Sequence, residues 1–333
     1  MSWYTESGKK DDFVLSTRAR LARNLKGFKF TSAMTFEESE KAAKLIETAL
    51  EPILKSFDKI DISSCSEEEK GVLCEKHLIS PNFKNGRLKR IAYVAKDMSS
   101  CIMVNEEDHL RIQSFTPGFD PDKALDECGK IETLLRERLD FAYNDKYGYL
   151  TACPTNCGTA LRLSAMVHLP ALAMTGGESQ MLRESAKLGM TVRGVYGEGS
   201  EAPGGIYQIS NQITLGVSVN DICEKFTAVV NAILSAEENL RNKIKTSLSD
   251  ALHDKICRAE GTLKSAYLMS SEEFINLQSL IRLGKYIGIT DIDLTVLKKL
   301  WIETLPYTLG AKHTPQERDK LRAEKIRNIL SLK

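Results

Sequence analysis

Five arginines from separate segments are the residues of this sequence best suited to chemistry. They are Arg18, Arg20, Arg111, Arg162 and Arg193, each in or beside a strand-like stretch. Guanidinium groups bind phosphate oxygens through paired hydrogen bonds, so five of them together can hold a nucleoside triphosphate. The sequence has no G-x-x-x-x-G-K-[S/T] motif, which excludes a P-loop.

The glycine-rich segment "VRGVYGEGSEAPGGIYQ", residues 192–208, carries acids that would repel a phosphate. Gly197, Gly199 and Ala202 match a dinucleotide-binding pattern, but that pattern must open a helix, and the following Pro-Gly-Gly and strand-like alternation forbid one. A flexible hairpin loop is the plain alternative. In "VNEEDHLRIQ" acids again stand beside an arginine, Glu107 with Arg111. Either these are two solvated charge clusters, or their carboxylates face a second, cationic substrate.

The elements around these residues predict an α+β protein. The segment "RLKRIAYVAKDMSSCIMV" predicts a hairpin turning near residues 96–100, and "TALRLSAMVHLP" predicts a half-buried strand with Arg162 on its polar face. Helices are predicted after the capping box of Thr35 and Glu38, from Pro121 with an apolar stripe reaching Leu139, and before Gly189. After about residue 220 helical patterns dominate, so we place a boundary near Leu240 between an antiparallel sheet domain, 1–240, and a helical domain, 241–333.

Composition narrows the class of protein. The 333 residues are 42% hydrophobic and 27% charged, with no long apolar run and a polar N-terminus, which predicts a soluble cytoplasmic protein. Eight cysteines without a C-x-x-C pair favour reduced thiols and no structural metal. From Leu240 onward, 17 Lys and Arg oppose 11 Asp and Glu. This basic tail lacks interleaved aromatics, so an anionic small group or an acidic protein fits it as well as nucleic acid.

Four blocks carry a family resemblance: "STRAR", "NEEDHLRI", "CPTNCGTALR" and "RGVYGEGSE…GGIYQISN". In this order they resemble the signature blocks of the phosphagen (guanidino) kinases. Within that superfamily the chain most resembles the bacterial protein-arginine kinases of the McsB type, through "EKHLISP", "GEGSEA" and "RDKLRA". The small-molecule kinases also carry a helical domain before the first block, which here begins at Ser16. The resemblance implies a phosphagen-kinase catalytic domain, with an antiparallel sheet flanked by helices, and a C-terminal all-helical domain.

The resemblance also implies site residues. Glu107 and Glu198 would grip the acceptor guanidinium, with Glu107 as base and Glu198 as orienting partner, although the reverse stays open. Cys153 would lie beside the guanidinium in a tuning role, whereas Cys157 only packs. The implied ATP-binding residues are Ser16, Thr17, Arg18, Ala19, Arg20, His77, Arg111, Arg162, Leu163, Ser164, Ala165, Met166, Arg193, Gly194, Val195, Tyr196, Gly197 and Glu198. Mg²⁺ would be bound through the nucleotide, with no metal site of the protein's own.

The motif "RDKLRA" implies a phosphoarginine site of Arg318, Asp319, Arg322 and Ala323. It lies on a helix predicted from the capping box of Thr314 and Glu317, which puts both arginines on one face. The implied activity is transfer of the ATP γ-phosphate to protein arginines, tagging proteins for a Clp protease and regulating a stress-response repressor. Implied partners are protein substrates, a McsA-type activator, a Clp ATPase and a second copy of the chain, with no membrane and no nucleic acid. A small-molecule guanidino kinase and a catalytically silent phosphoarginine reader remain the alternatives.

Overall fold

An eight-stranded antiparallel sheet organises the protein. The computed structural model describes residues 3–194 and 202–331. The sheet strands run in the order β2-β3-β4-β5-β1-β8-β10-β9, and β6 with β7 forms a separate hairpin. Their bounds are β1 Val14–Arg23, β2 Phe57–Asp61, β3 Ile91–Ala95, β4 Ser100–Val104, β5 Leu110–Pro117, β6 Tyr143–Asn144, β7 Gly148–Tyr149, β8 Leu161–His168, β9 Met190–Gly194 and β10 Ile206–Asn211. The predicted β3–β4 hairpin and the strand through Arg162 are thereby confirmed.

Ten α-helices accompany the sheet in the described residues. They are α1 Phe36–Leu50, α2 Glu67–Glu75, α3 Pro121–Arg136, α4 Pro170–Met174, α5 Glu178–Lys187, α6 Val219–Thr246, α7 Asp250–Ser265, α8 Ser271–Ile287, α9 Leu294–Glu303 and α10 Pro315–Ser331. The predicted capping box at Thr35 and Glu38 opens α1, because each side chain accepts the other's backbone N–H. Helix α3 begins at Pro121 as predicted but ends before Leu139. Gly189, with φ of +69°, follows α5 in the left-handed conformation that ends many helices.

The two faces of the sheet differ in polarity because the strands alternate. Leu161, Leu163 and Ala165 of β8 are fully buried, in one apolar cluster with residues of α1, α3 and α6. Helix α3 packs on β1 and β5, and α6 packs on β8 and β10. The opposite face carries the residues between these positions, which include the predicted arginines. Burial of the apolar face therefore determines the side on which the arginines project.

The predicted boundary near Leu240 falls inside a helix. Helix α6 continues to Thr246, and the chain first leaves helical geometry at residues 247–249. The helix continues because Arg241 is buried and bonds back to the first part of the chain, to Glu237 and to the carbonyls of Asp12 and His168. Helices α7 to α10 form the helical part, whose apolar cluster also contains Leu15 and Ile206 of the sheet part.

Two further properties bear on the sequence expectations. All eight cysteines are free thiols. Across residues 3–194 and 202–331, none of the helices is both long and apolar enough to cross a membrane.

Candidate functional site

The register of the sheet brings the five arginines to one face. Arg20 on β1 lies directly opposite Arg162 on β8, and Ala22 lies opposite Arg111 on β5. Gln208 on β10 pairs with Arg193 on β9 and with Met166 on β8. Residues directly opposite each other in an antiparallel pair project to the same side, and so do alternate residues of one strand. All five guanidinium groups therefore lie on the face opposite the core.

Crowding of these cations lowers their pKa values. Burial, and then the charges of Arg162 and Arg111, lower the pKa of Arg18 to about 10. The pKa of Arg20 lies well below its ordinary value, chiefly because of burial and then the same kind of repulsion from Arg111, Arg18 and Arg162. A bound polyanion would offset this repulsion. The cluster is thus electrostatically suited to a triphosphate.

Two acids of unequal exposure hold Arg111. Oε2 of Glu106 lies 2.7 Å from Nη1 of Arg111, and Oε2 of Glu107 lies 2.9 Å from Nη2. The side chain of Glu106 is 2% exposed, whereas that of Glu107 is 43% exposed. Glu107 is therefore the carboxylate that a second substrate can reach, beside the end of the arginine row.

Glu106 is a residue to which the sequence analysis assigned no role. Its carboxylate accepts hydrogen bonds from the Ser80 hydroxyl and from the backbone N–H of Glu107, in addition to its pair with Arg111. It therefore connects the segment after His77 with the exposed carboxylate. The signal in the sequence was the double acid of "NEED", but a charge run does not tell which acid is buried.

The Cys153 loop is tied to the same motif through Asp108. Oδ1 of the buried Asp108 accepts from Asn24 Nδ2 at 2.6 Å and from the backbone N–H of Ala152 at 2.7 Å. Cys153 is half-buried, and its Sγ lies 3.0 Å from Thr155 Oγ1. Cys157 lies 3.4 Å from Thr151 Oγ1. The structure thus places the Cys153 loop next to the "NEED" segment.

A cavity of about 710 Å³ lies over the arginine row. Four of the five arginines line it, together with His77, which the resemblance places at the nucleoside end: Arg18, Arg20, Arg162 and Arg193. Arg111 instead lines a small adjoining cavity with Arg20 and Arg162. Burial, and then the charge of Arg18, lower the pKa of His77 to about 4, so its ring is neutral at pH 7 and adds no cation to the cluster.

Some of the predicted ATP-binding residues are turned away from this cavity. Ala19, Leu163 and Ala165 are fully buried on the core face, and the Thr17 hydroxyl donates to the Gly118 carbonyl. Strand alternation explains this, because only every second residue of a motif reaches one face. Ser16, Ser164 and Met166 do line a small cavity with Arg18 and His77. Gly194 ends β9, and Val195, Tyr196, Gly197 and Glu198 lie outside the described residues.

The motif at the C-terminus is only partly exposed. Arg322 is 2% exposed and donates to the carbonyls of Thr304 and Met269 and to Asp319. Ala323 is buried among apolar residues of the helical part. Arg318 is half-buried, with Nη1 donating to the His313 carbonyl. Asp319 and Arg318 are therefore the accessible groups, whereas Arg322 and Ala323 also support the local structure.

Within the described ranges, no group of three or more His, Cys, Asp and Glu side chains could hold a metal ion. The acids closest to the arginine row, Glu106 and Glu107, are both paired with Arg111.

Two family models match consecutive stretches of the chain. Residues 39–240 match the ATP:guanido phosphotransferase C-terminal catalytic domain, and residues 249–333 match the protein-arginine kinase McsB C-terminal domain. The residues between the two matches include 247–249, where the chain leaves α6.

Curated relatives are similar over nearly the whole chain. A protein-arginine kinase of Caldanaerobacter subterraneus subsp. tengcongensis is 42% identical over 97% of this chain and 98% of its own. One of Halothermothrix orenii is 41% identical over 99% of this chain and 96% of its own.

Solved structures share the fold. A crystal structure of lombricine kinase has a TM-score of 0.64 and 23% identity, covering 72% of this chain and 71% of its own. The duplicated taurocyamine kinase from Schistosoma mansoni, with bound transition state analog components, has a TM-score of 0.64 and 26% identity, covering 82% of this chain and 40% of its own.

Proposed function

Because the chain belongs to the protein-arginine kinase family, with an ATP:guanido phosphotransferase catalytic domain, we propose that it transfers the γ-phosphate of ATP to arginine side chains of proteins. The observation that carries the proposal is the pairing of five arginines on one sheet face with Glu107, the exposed carboxylate beside them. One face thus offers a polyanion site and, next to it, a group that binds a guanidinium.

Positioning and charge stabilisation account for most of the proposed mechanism. The arginine row holds the triphosphate, and Mg²⁺ bound through the nucleotide would neutralise further charge. A carboxylate is needed because arginine, with a pKa above about 12, is a poor nucleophile until a proton can leave. A guanidinium nitrogen attacks the γ-phosphorus, the bond to the ADP oxygen breaks, an N–P bond forms, and the proton goes to Glu107. Glu198 would orient the acceptor, and Cys153 would tune its position.

The wider role that we propose follows the family. Phosphorylated proteins would be tagged for a Clp protease, a stress-response repressor would be one substrate, and a McsA-type activator and a second copy of the chain would be partners. Support comes from the McsB C-terminal domain match and from the basic character of the helical part. The cytoplasm is the compartment that we propose for this activity.

Mass spectrometry tests the activity directly. The protein is incubated with Mg-ATP and either an arginine-rich protein or free arginine, and the products are analysed under conditions that preserve acid-labile phosphate. We expect phosphoarginine in the protein substrate, and Glu107→Gln serves as the inactive control. Phosphorylation of free arginine alone would instead support a small-molecule guanidino kinase.

Loss of one arginine of the row should weaken ATP binding without weakening the fold. For Arg20→Gln we expect the Kd of Mg-ATP to rise about 10-fold or more, since a charge-assisted hydrogen bond is lost. The free energy of unfolding should stay level or rise, because the cation that suffers the strongest repulsion is removed. Isothermal titration and urea unfolding measure the two quantities. Arg138→Gln, which removes an exposed cation next to Glu137, is the control, and an unaltered Kd in Arg20→Gln would argue against the proposed site.

The two arginines of the C-terminal motif should respond differently to substitution. Arg318→Gln should lower the affinity for phosphoarginine about 10-fold, because an accessible guanidinium is lost. Arg322→Gln should also lower the free energy of unfolding, by about 1–3 kcal/mol, because two backbone carbonyls lose their donors. Titration with phosphoarginine and urea unfolding distinguish the two. Lys320→Gln, an exposed cation on the same helix, is the control, and equal binding by Arg318→Gln and Lys320→Gln would contradict the predicted site.

A further inference from the structure

The helical part supplies one wall of the cavity over the arginine row. Five of its residues line that cavity together with the arginines: Ser271, Trp301, Ile302, Leu305 and Pro306. Four of the five are apolar or aromatic. Across from them, Ile79, Pro81 and Met103 of the sheet part line the same cavity. The cavity thus has an apolar end between the two parts of the chain and a cationic end on the sheet.

This division matches the two ends of a nucleotide. A triphosphate requires cations, whereas a base is a flat ring that binds in apolar and aromatic surroundings. Trp301 is 7% exposed and belongs to the apolar cluster of the helical part, so its ring is held by packing. Leu305, at the turn after α9, is only half-buried. Both present preformed apolar surface beside the phosphate-binding groups.

The segment that carries Leu305 and Pro306 is fixed at both of its ends. On one side, Nε of Arg322 donates to the Thr304 carbonyl at 3.0 Å. On the other side, the Glu75 carboxylate of α2 accepts from the backbone N–H groups of Tyr307 and Thr308 at 2.7 and 2.8 Å. Glu75 is two residues from His77, which lines the same cavity.

Close packing on α2 reinforces these hydrogen bonds. A Cβ at Gly71 would lie 2.1 Å from the Tyr307 ring, so the ring packs directly on the helix backbone. Lys84 Nζ lies 4.8 Å from the centre of the same ring. The wall is therefore held in place against the sheet part in the described structure, without a ligand.

We propose that the helical part forms the base subsite of the nucleotide site, with Trp301, Ile302, Leu305 and Pro306 in contact with the base. The inference rests on the proposed function, because it takes the arginine row as the triphosphate site. Its consequence is that catalytic nucleotide binding needs both parts of the chain. The ligand is a nucleoside triphosphate, and inorganic tripolyphosphate would use the arginine end alone.

The two tryptophans of the chain allow a direct test. Trp3 stacks on Phe115, with ring centroids 5.3 Å apart, so Trp3→Phe retains an aromatic ring there and leaves Trp301 as the only indole. In the full-length Trp3→Phe protein we expect Mg-ATP to change Trp301 fluorescence saturably, whereas Mg-tripolyphosphate binds by calorimetry without that change. Binding of Mg-ATP with no response from Trp301 would overturn the inference.

A truncation of the wall gives a second readout. In Leu305→Ala we expect the Kd of Mg-ATP to rise about 5-fold to 20-fold, as loss of two to three buried carbons implies, with the Kd of tripolyphosphate unchanged. Leu268→Ala is the matched control, because Leu268 is 54% exposed on the same part of the chain and does not line the cavity. An equal rise for both ligands, or no rise for either, would overturn the base subsite. Failure of the unaltered chain to bind Mg-ATP at all would instead remove the proposed function.

Discussion

Glu107→Gln is expected to lower kcat for phosphorylation of a protein substrate by about 10³-fold, within the range that general bases contribute. Glutamine retains the size of the side chain but cannot accept the proton of the acceptor guanidinium. Arg111 stays in place, because Glu106 holds it independently at 2.7 Å. The Kd of Mg-ATP should therefore change little. Single-turnover phosphorylation and ATP titration measure the two quantities.

Two comparisons make this result specific. Glu137→Gln removes another exposed carboxylate, far from the arginine row in the sequence, and should leave kcat unchanged. Glu198→Gln tests whether the roles of the two acids are reversed: it should lower kcat less than Glu107→Gln does. A larger loss in Glu198→Gln would make Glu198 the base, and full activity in Glu107→Gln would exclude Glu107 from catalysis.

Glu237→Ala is expected to lower the free energy of unfolding by about 3–5 kcal/mol, the range for breaking a buried ion pair on one side. Glu237 and Arg241 have no exposed side-chain surface, and Oε1 of Glu237 lies 2.8 Å from Nε of Arg241. Glu237 also accepts the backbone N–H groups of Ala171 and Leu172 at the start of α4. Its removal leaves a buried guanidinium without a counterion and two amides without acceptors.

Urea unfolding measures the loss, and a neighbouring residue provides the control. Glu238 is adjacent on α6 but exposed, so Glu238→Ala should change the free energy of unfolding by no more than about 0.5 kcal/mol. Similar unfolding midpoints for the two variants would contradict a structural role for the buried pair. The double variant Glu237→Ala/Arg241→Met should recover part of the stability, because the unpaired charge is removed as well.

Residue patterns were sufficient to predict the local elements. Strand alternation predicted which side of β8 carries Arg162, because one face of the sheet has to be buried. Capping boxes predicted the starts of α1 and α10 because they satisfy the first backbone N–H groups of a helix locally. These signals depend on neighbours within about four residues, which the sequence itself places together.

The sequence determined the chemistry of the site: several arginines, two acids beside them, and motifs of a known family. Only the tertiary structure decided which acid is exposed, since Glu106 and Glu107 are adjacent and chemically alike. It also decided that Leu163 and Ala165 face the core and that Trp301 and Leu305 line the cavity with Arg18. The physical reason is distance along the chain: burial and long-range contacts arise from packing of segments nearly 300 residues apart, which no local pattern encodes.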